Sequence, residues 1–205
     1  MRLSIGSVFE TLINKTPIRY IFTTILVYIQ IRTRKLSTAL KNVKLTTMRI
    51  LGIDPGFERL GVAILEKNKG EKREKVLFSE CFKTSTKLDF NERLLLIGEE
   101  VNRVIDKFKP EVLSIETLFL TTNQKTVMHV AEARGVVVYE AARAGLKIFE
   151  ASPPQIKIAT TGYGKASKEQ IIKMVKILID IDNSKKSDDE LDAIAIALTA
   201  FACLR

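Results

Sequence analysis

The sequence predicts an α/β fold, a mixed five-stranded sheet flanked by helices, and three observations lead there. Three short apolar runs follow one another between residues 49 and 83. Beyond them, helical and strand-like segments alternate to the end of the chain. The chain has 205 residues, 46% of them hydrophobic and 28% charged, which suits one globular domain with a real core. No internal repeat or low-complexity tract interrupts the pattern.

Residues 49–54 form an apolar run that ends in Asp-Pro-Gly, a turn signal. Residues 60–66 and 75–83 read as two further strands joined by a charged turn, NKGEK, at 68–72. These three suggest an antiparallel meander. Over 88–108 the period becomes helical, with Ile97, Val101, Ile105 and Phe108 on one face, and Pro110 stops the helix. Residues 112–116 are a short buried strand that again ends in an acid. Residues 122–144 form a long helix rich in small residues (Ala131, Ala133, Gly135, Ala141, Ala142), with Gly145 as its C-cap. Residues 147–150 are the fifth strand. Ser152 caps a short helix with Pro153 at its first position. Gly162-Tyr163-Gly164 makes a loop, and Ser167 caps a helix reaching residue 179. A polar link, 182–187, leads to a last helix over 188–203. That helix is apolar on nearly every side after Asp192 and is therefore expected to be buried.

Residues 1–47 are unlike the rest. They hold eight of the 33 Lys and Arg residues but one of the 24 acids, so +7 of the formal +9 charge lies there. The remaining +2 on 48–205 makes overall basicity weak support for nucleic-acid binding; local basic clusters matter more. The uncharged run at 20–31 has 12 residues, well short of the ~20 that a spanning helix needs. Arg32, Arg34 and Lys35 follow directly where a signal peptide would carry a small-residue cleavage site. We read 1–47 as an extension, either a mis-assigned start with Met48 as the natural one or a disordered leader. A basic segment for a membrane surface or a partner is the alternative. The domain proper is 48–205, expected to be cytoplasmic and without a membrane span.

Cys81 and Cys203 make neither a metal-ligand pattern nor a disulfide framework. His129, the single histidine, lies inside the long helix away from the acidic motifs, and reads as structural or exposed. Hydrolysis by a Ser/His/Asp or Cys/His arrangement therefore has little to stand on. The chemistry-bearing pattern is acidic. Asp54 ends the first strand and Glu116 the fourth; if those strands are parallel neighbours, both carboxylates emerge at one sheet edge. Asp189 and Asp192, three apart, share a face at the start of the last helix. Carboxylate oxygens suit hard cations such as Mg²⁺ or Mn²⁺. Four acids packed together need them, because like charges raise one another's pKa. Each acid alone has a plainer reading: Asp54 as a turn residue, Glu116 as a surface acid, Asp189 as a partner of the helix dipole. The case rests on the combination.

The stretches 50–56 (ILGIDPG), 115–119 (IETLF), 133–136 (ARGV), 154–168 (PQIKIATTGYGKASK) and 189–196 (DELDAIAI) resemble, in order, the motifs of the RuvC family, the bacterial Holliday-junction resolvases. The resemblance covers essentially all of 48–205 and none of 1–47. It implies an RNase H-like fold. It also implies a metal-dependent DNA endonuclease in which Asp54, Glu116, Asp189 and Asp192 hold two Mg²⁺ ions, with Mn²⁺ as a substitute. In-line hydrolysis would leave 5′-phosphate and 3′-hydroxyl ends. Lys157 and Lys168 match lysines that contact DNA phosphates near the scissile bond. Phe119 matches an aromatic that acts on bases at the junction centre, with a core residue as the competing reading. The family pattern further implies a homodimer on four-way junction DNA and a partnership with the RuvA–RuvB branch-migration complex. The long helix is the candidate dimer interface, against ordinary intramolecular packing. Three rivals remain: an RNase H-like nuclease of the YqgF type acting on RNA, an actin- or sugar-kinase-like ATPase, and a non-enzymatic DNA-binding module. The ATPase would need a second domain and phosphate loop that the chain does not display.

Overall fold

The computed structural model describes residues 47–118, 124–179 and 186–204, with 124–126 as backbone. Residues 1–46 of the expected 1–47 extension, Phe119, the start of the long helix and most of the 182–187 link lie outside the described residues, while Thr47 opens the first strand.

Five strands, β1 (Thr47–Asp54), β2 (Arg59–Asn68), β3 (Lys75–Lys83), β4 (Val112–Glu116) and β5 (Lys147–Ala151), form one sheet in the order β3-β2-β1-β4-β5. β1 pairs antiparallel with β2, and β2 with β3; β1 pairs parallel with β4, and β4 with β5. The helices are α1 (Phe90–Phe108), α2 (Gln124–Arg143), α3 (Pro153–Thr161), α4 (Lys168–Ile179) and α5 (Asp188–Cys203). The expected mixed five-stranded α/β architecture is the observed one.

The differences from expectation lie at element ends and have local causes. β1 and β2 extend past their apolar stretches because charged and polar side chains continue the ladder. Arg49 Nε lies 2.7 Å from Glu66 Oε2, and Thr47 Oγ1 donates to Asn68 Oδ1 at 2.6 Å. α1 starts at Phe90 instead of residue 88 because Asp89 caps it, its backbone N–H donating to Glu92 Oε2 at 3.0 Å. Gly145 ends α2 as expected. Its φ is +79°, and the N–H groups of Gly145 and Leu146 donate to the carbonyls of Ala142 and Ala141, the paired bonds of a Schellman turn.

Strand alternation sorts the core onto two faces. Leu51, Ile53, Val62, Ile64, Leu113 and Ile115 pack with Ile97, Val101 and Ile105 of α1 and Ala133, Val137 and Ala141 of α2. Ile50, Ala63, Leu65 and Val112 face α5, which is buried from Ala193 to Phe201 as its composition predicts. The residues on that second face, including Gly52, Asp54, Ser114 and Glu116, are therefore the ones that meet α5.

Two glycines make the seating of α5 close. A Cβ on Gly52 would lie 2.2 Å from the carbonyl oxygen of Ala193, and one on Gly61 would lie 2.2 Å from that of Asp189. Ser114 Oγ adds a hydrogen bond to the Ile196 carbonyl at 2.7 Å. The blocking atoms are helix backbone, so they cannot step aside without moving α5. Gly52→Ala is therefore expected to destabilise the protein by roughly 1–3 kcal/mol, the usual cost of forcing extra atoms into a packed core. Urea denaturation measures this; an unchanged midpoint would mean that the helix is not held against the strand.

Candidate active site

Parallel pairing of Ile53 with Ile115 brings the ends of β1 and β4 side by side, so Asp54 and Glu116 leave the sheet at the same edge and on the α5 face. α5 begins above that edge. Its start is fixed by a capping box, in which Ser187 N–H donates to Glu190 Oε2 at 2.9 Å and Glu190 N–H to Ser187 Oγ at 3.3 Å. Glu190 also accepts from Ser79 Oγ at 2.8 Å, which ties the helix start to β3. Glu190 is thus taken up by the capping box with the N-cap Ser187, and Asp189 and Asp192 are left for other work.

Asp54, Glu116 and Asp192 line one cleft with Lys157 of α3 and Lys168 of α4. Lys168 Nζ pairs with Asp192 Oδ2 at 3.0 Å and lies 3.7 Å from Asp188 Oδ2. The fourth expected acid is turned aside. The Asp189 carboxylate ion-pairs with Arg59 and accepts from Cys81 Sγ at 3.3 Å. Its backbone nevertheless remains at the site: the point where a Gly61 Cβ would sit is 2.2 Å from Asp189 O and 3.1 Å from Asp54 Cβ.

The charges strain against one another. Burial raises the Asp54 carboxyl from the ordinary 3.8 to about 7, helped by Asp192, Glu116 and Asp189 and opposed by Lys168. Burial also raises Glu116, with Asp192 adding to it. Asp192 is raised by burial, while its bond to Lys168 pulls the other way. As placed, among the described residues, no group of three or more His, Cys, Asp or Glu side chains could hold a metal ion. Lysine and arginine serve as counter-ions instead. The donor set still fits a hard divalent cation: it is all carboxylate oxygen, lies partly out of solvent and carries more negative charge than Lys168 offsets. A turn of the Asp189 side chain off Arg59 would add its fourth member.

Arg59 and Cys81 are site residues that sequence reasoning missed. Cys81 pairs with Gly61 across β2 and β3, and Gly61 with Asp54 across β1 and β2. Arg59 stands two residues before Gly61, on the same face. That alternation was readable; the contact with a residue 130 positions away was not. The ARGV stretch also gains a role. Arg134 Nε donates to the Glu116 carbonyl at 3.1 Å, and its Nη2 ion-pairs with Glu150 at 2.8 Å, holding the end of β4. His129 stacks on Phe90 with centroids 4.1 Å apart and meets Phe57 edge-on, a structural wedge as expected.

A mixed sheet of this order, with carboxylates at the adjoining ends of its central parallel strands and on the helix crossing them, defines an RNase H-like nuclease. A family model described as crossover junction endodeoxyribonuclease RuvC matches residues 50–200, and the chain belongs to that family of divalent-metal-dependent nucleases. The RuvC of Ruminiclostridium cellulolyticum is 41% identical over 151 residues, covering 74% of this chain and 90% of that protein. The RuvC of Alkaliphilus oremlandii is 43% identical over 151 residues, covering 74% and 91%. Among solved structures, T. thermophilus RuvC in complex with Holliday junction substrate superposes with a TM-score of 0.72 at 32% identity, covering 77% of this chain and 95% of that one. The yeast mitochondrial resolvase Ydc2, at 18% identity and a TM-score of 0.58 over 74% and 77%, shares the fold.

Metal-free stability should report the crowded acids. Between pH 4 and 7 the folded protein keeps a proton on Asp54 that the unfolded chain, titrating near 3.8, has lost. The contribution of Asp54 to stability therefore falls as pH rises through that window. Asp54→Asn should flatten the fall and leave the variant more stable at pH 7.5 by on the order of 1–4 kcal/mol. Denaturation with EDTA at pH 5 and 7.5 tests this; equal pH slopes in both proteins would refute it.

Proposed function

We propose that the chain resolves Holliday junctions by symmetric, Mg²⁺-dependent hydrolysis of phosphodiester bonds in DNA recombination and repair. The observation that carries this reading is the cleft itself, where Asp54, Glu116 and Asp192 face Lys157 and Lys168. Family membership supplies the reaction class. The T. thermophilus relative, held in complex with a Holliday junction substrate, supports the choice of DNA.

Asp54, Glu116, Asp192 and, once turned from Arg59, Asp189 are the residues that would hold two Mg²⁺ ions, with Mn²⁺ as a substitute. Such ions lower the pKa of a bound water and stabilise charge on the leaving oxygen, giving 5′-phosphate and 3′-hydroxyl ends. Lys157 and Lys168 hold the phosphates beside the acids. Lys168, which pairs with Asp192 at 3.0 Å, would be free to pair with a phosphate oxygen if Asp192 held a cation. Phe119, on the segment after β4, stacks on bases at the junction centre, an interaction worth ~1–3 kcal/mol.

A two-fold substrate calls for a two-fold enzyme. We assign the dimer contact to the outer face of α2, where Met128 and Tyr139 are exposed. The small residues Ala133 and Ala141 serve the inner face and are fully buried. The RuvA–RuvB complex is the proposed partner. No helix among the described residues is long and apolar enough to cross a membrane, and action on DNA in the cytoplasm is the proposed setting.

A cleavage assay of the full chain on four-way junction DNA with Mg²⁺, beside structured RNA, tests the function. Junction DNA should be cut and RNA spared. Asp54→Asn and Asp189→Asn should each lose at least ~100-fold in cleavage, more than outer-shell changes at metal sites typically cost, while still binding the junction. Wild type cutting RNA instead, or Asp54→Asn cutting like wild type, would reject the reading. Separately, Lys157→Ala should lower the salt slope of junction binding by about 1, the signature of one phosphate contact. An unchanged slope would remove Lys157 from the DNA path.

A further inference from the structure

The connection between α3 and α4 carries an aromatic side chain that the proposed machinery leaves unused. α3 ends at Gly162, whose φ of +74° lets the chain turn sharply. The Thr161 hydroxyl donates to the Lys157 carbonyl at 2.8 Å and accepts from Tyr163 N–H at 3.1 Å. The Tyr163 carbonyl accepts from Ala166 N–H at 3.1 Å, and Ala166 is buried. The loop backbone is thus anchored on both sides of Tyr163. It also rests on Ile158, whose side chain would lie 3.4 Å from a Cβ on Gly164. Tyr163 itself is 58% exposed, and among the described residues its ring and hydroxyl have no partner.

The surroundings select the ligand. The loop joins the helix that carries Lys157 to the helix that carries Lys168, both of which line the acidic cleft. Lys165, also exposed, stands two residues beyond Tyr163. An exposed aromatic on an anchored loop between lysines is the pattern of a strand-binding surface: cations follow the phosphates and the ring takes a base face. Because the loop is anchored already, little ordering entropy opposes the contact.

We propose that Tyr163 is a nucleobase-stacking residue that holds a base of the DNA strand running past Lys157 and Lys168 into the cleft. The inference rests on the junction-resolvase reading above. It adds a DNA contact on the connection between α3 and α4, apart in sequence from Phe119.

Binding of a fluorescent four-way junction to the full chain, in EDTA and over a series of salt concentrations, tests it with wild type, Tyr163→Ala, Tyr163→Leu, Tyr163→Phe and Lys165→Ala. Tyr163→Ala and Tyr163→Leu should each weaken binding by roughly 5- to 140-fold, a stacking loss of ~1–3 kcal/mol converted at tenfold per 1.4 kcal/mol. Their salt slopes should stay at the wild-type value, because no phosphate contact is removed. Tyr163→Phe should bind like wild type, and Lys165→Ala should lower the slope by about 1. In parallel, 2-aminopurine placed near the crossover should be quenched by wild type and by Tyr163→Phe but not by Tyr163→Leu. Wild-type affinity in both Tyr163→Ala and Tyr163→Leu, or a Tyr163→Phe loss as large as theirs, would overturn the proposal while leaving the resolvase reading intact. Failure of wild type to bind the junction would overturn both.

Discussion

Everything at the candidate site depends on how closely α5 lies on β1 and β2. The helix brings Asp189 and Asp192; the sheet brings Asp54 and Glu116; the gap between them is closed by two missing side chains. Gly52 and Gly61 leave room where any Cβ would meet helix backbone. The buried apolar length of α5 supplies the drive, because residues 193–201 have no other place to hide from water. Burial of a helix and convergence of charges are thus one event, and the favourable first term offsets the unfavourable second.

The crowding has a chemical meaning. A cluster of carboxylates in which Lys168 ion-pairs with only one of them is poor design for stability, since burial and repulsion lift Asp54 to about 7. It is good design for a site whose full set of charges is completed by ligands. The protein meets the imbalance with its own cations: Lys168 on Asp192 and Arg59 on Asp189. Both are half-exposed side chains on flexible stems, so they can be exchanged for incoming cations and phosphates with little rearrangement of the backbone.

Much of this was legible in the sequence. β3, β4 and α5 have the bounds that their patterns predict, because each is delimited by a sharp change: charged turn to apolar run, Pro110 before β4, Ser187 before α5. β1 and β2 run longer than apolar alternation indicates, since Arg49–Glu66 and Thr47–Asn68 are cross-strand polar pairs that periodicity does not count. Three of the four acids come together as strand order and helix spacing suggested, and both lysines, expected only from the family resemblance, line the same cleft. The orientation of Asp189 was hidden because it is decided by Arg59 and Cys81, whose closeness to it follows from sheet register. The division of labour in Asp188-Asp189-Glu190 was hidden for a similar reason. All three look like dipole partners, and only the Ser79 and Ser187 contacts single out Glu190.

Arg134 joins three things that could have been independent. It belongs to α2, it grips the carbonyl of Glu116, and it reaches Glu150 on β5. A rotation of α2 about its axis would therefore drag the tip of β4 with it. Should two copies meet along that helix, the distance between their cutting points would be set as in a pair of callipers, by the rigid arm from helix to strand and not by any loop. Such a gauge would suit a substrate whose two scissile bonds stand at a fixed separation.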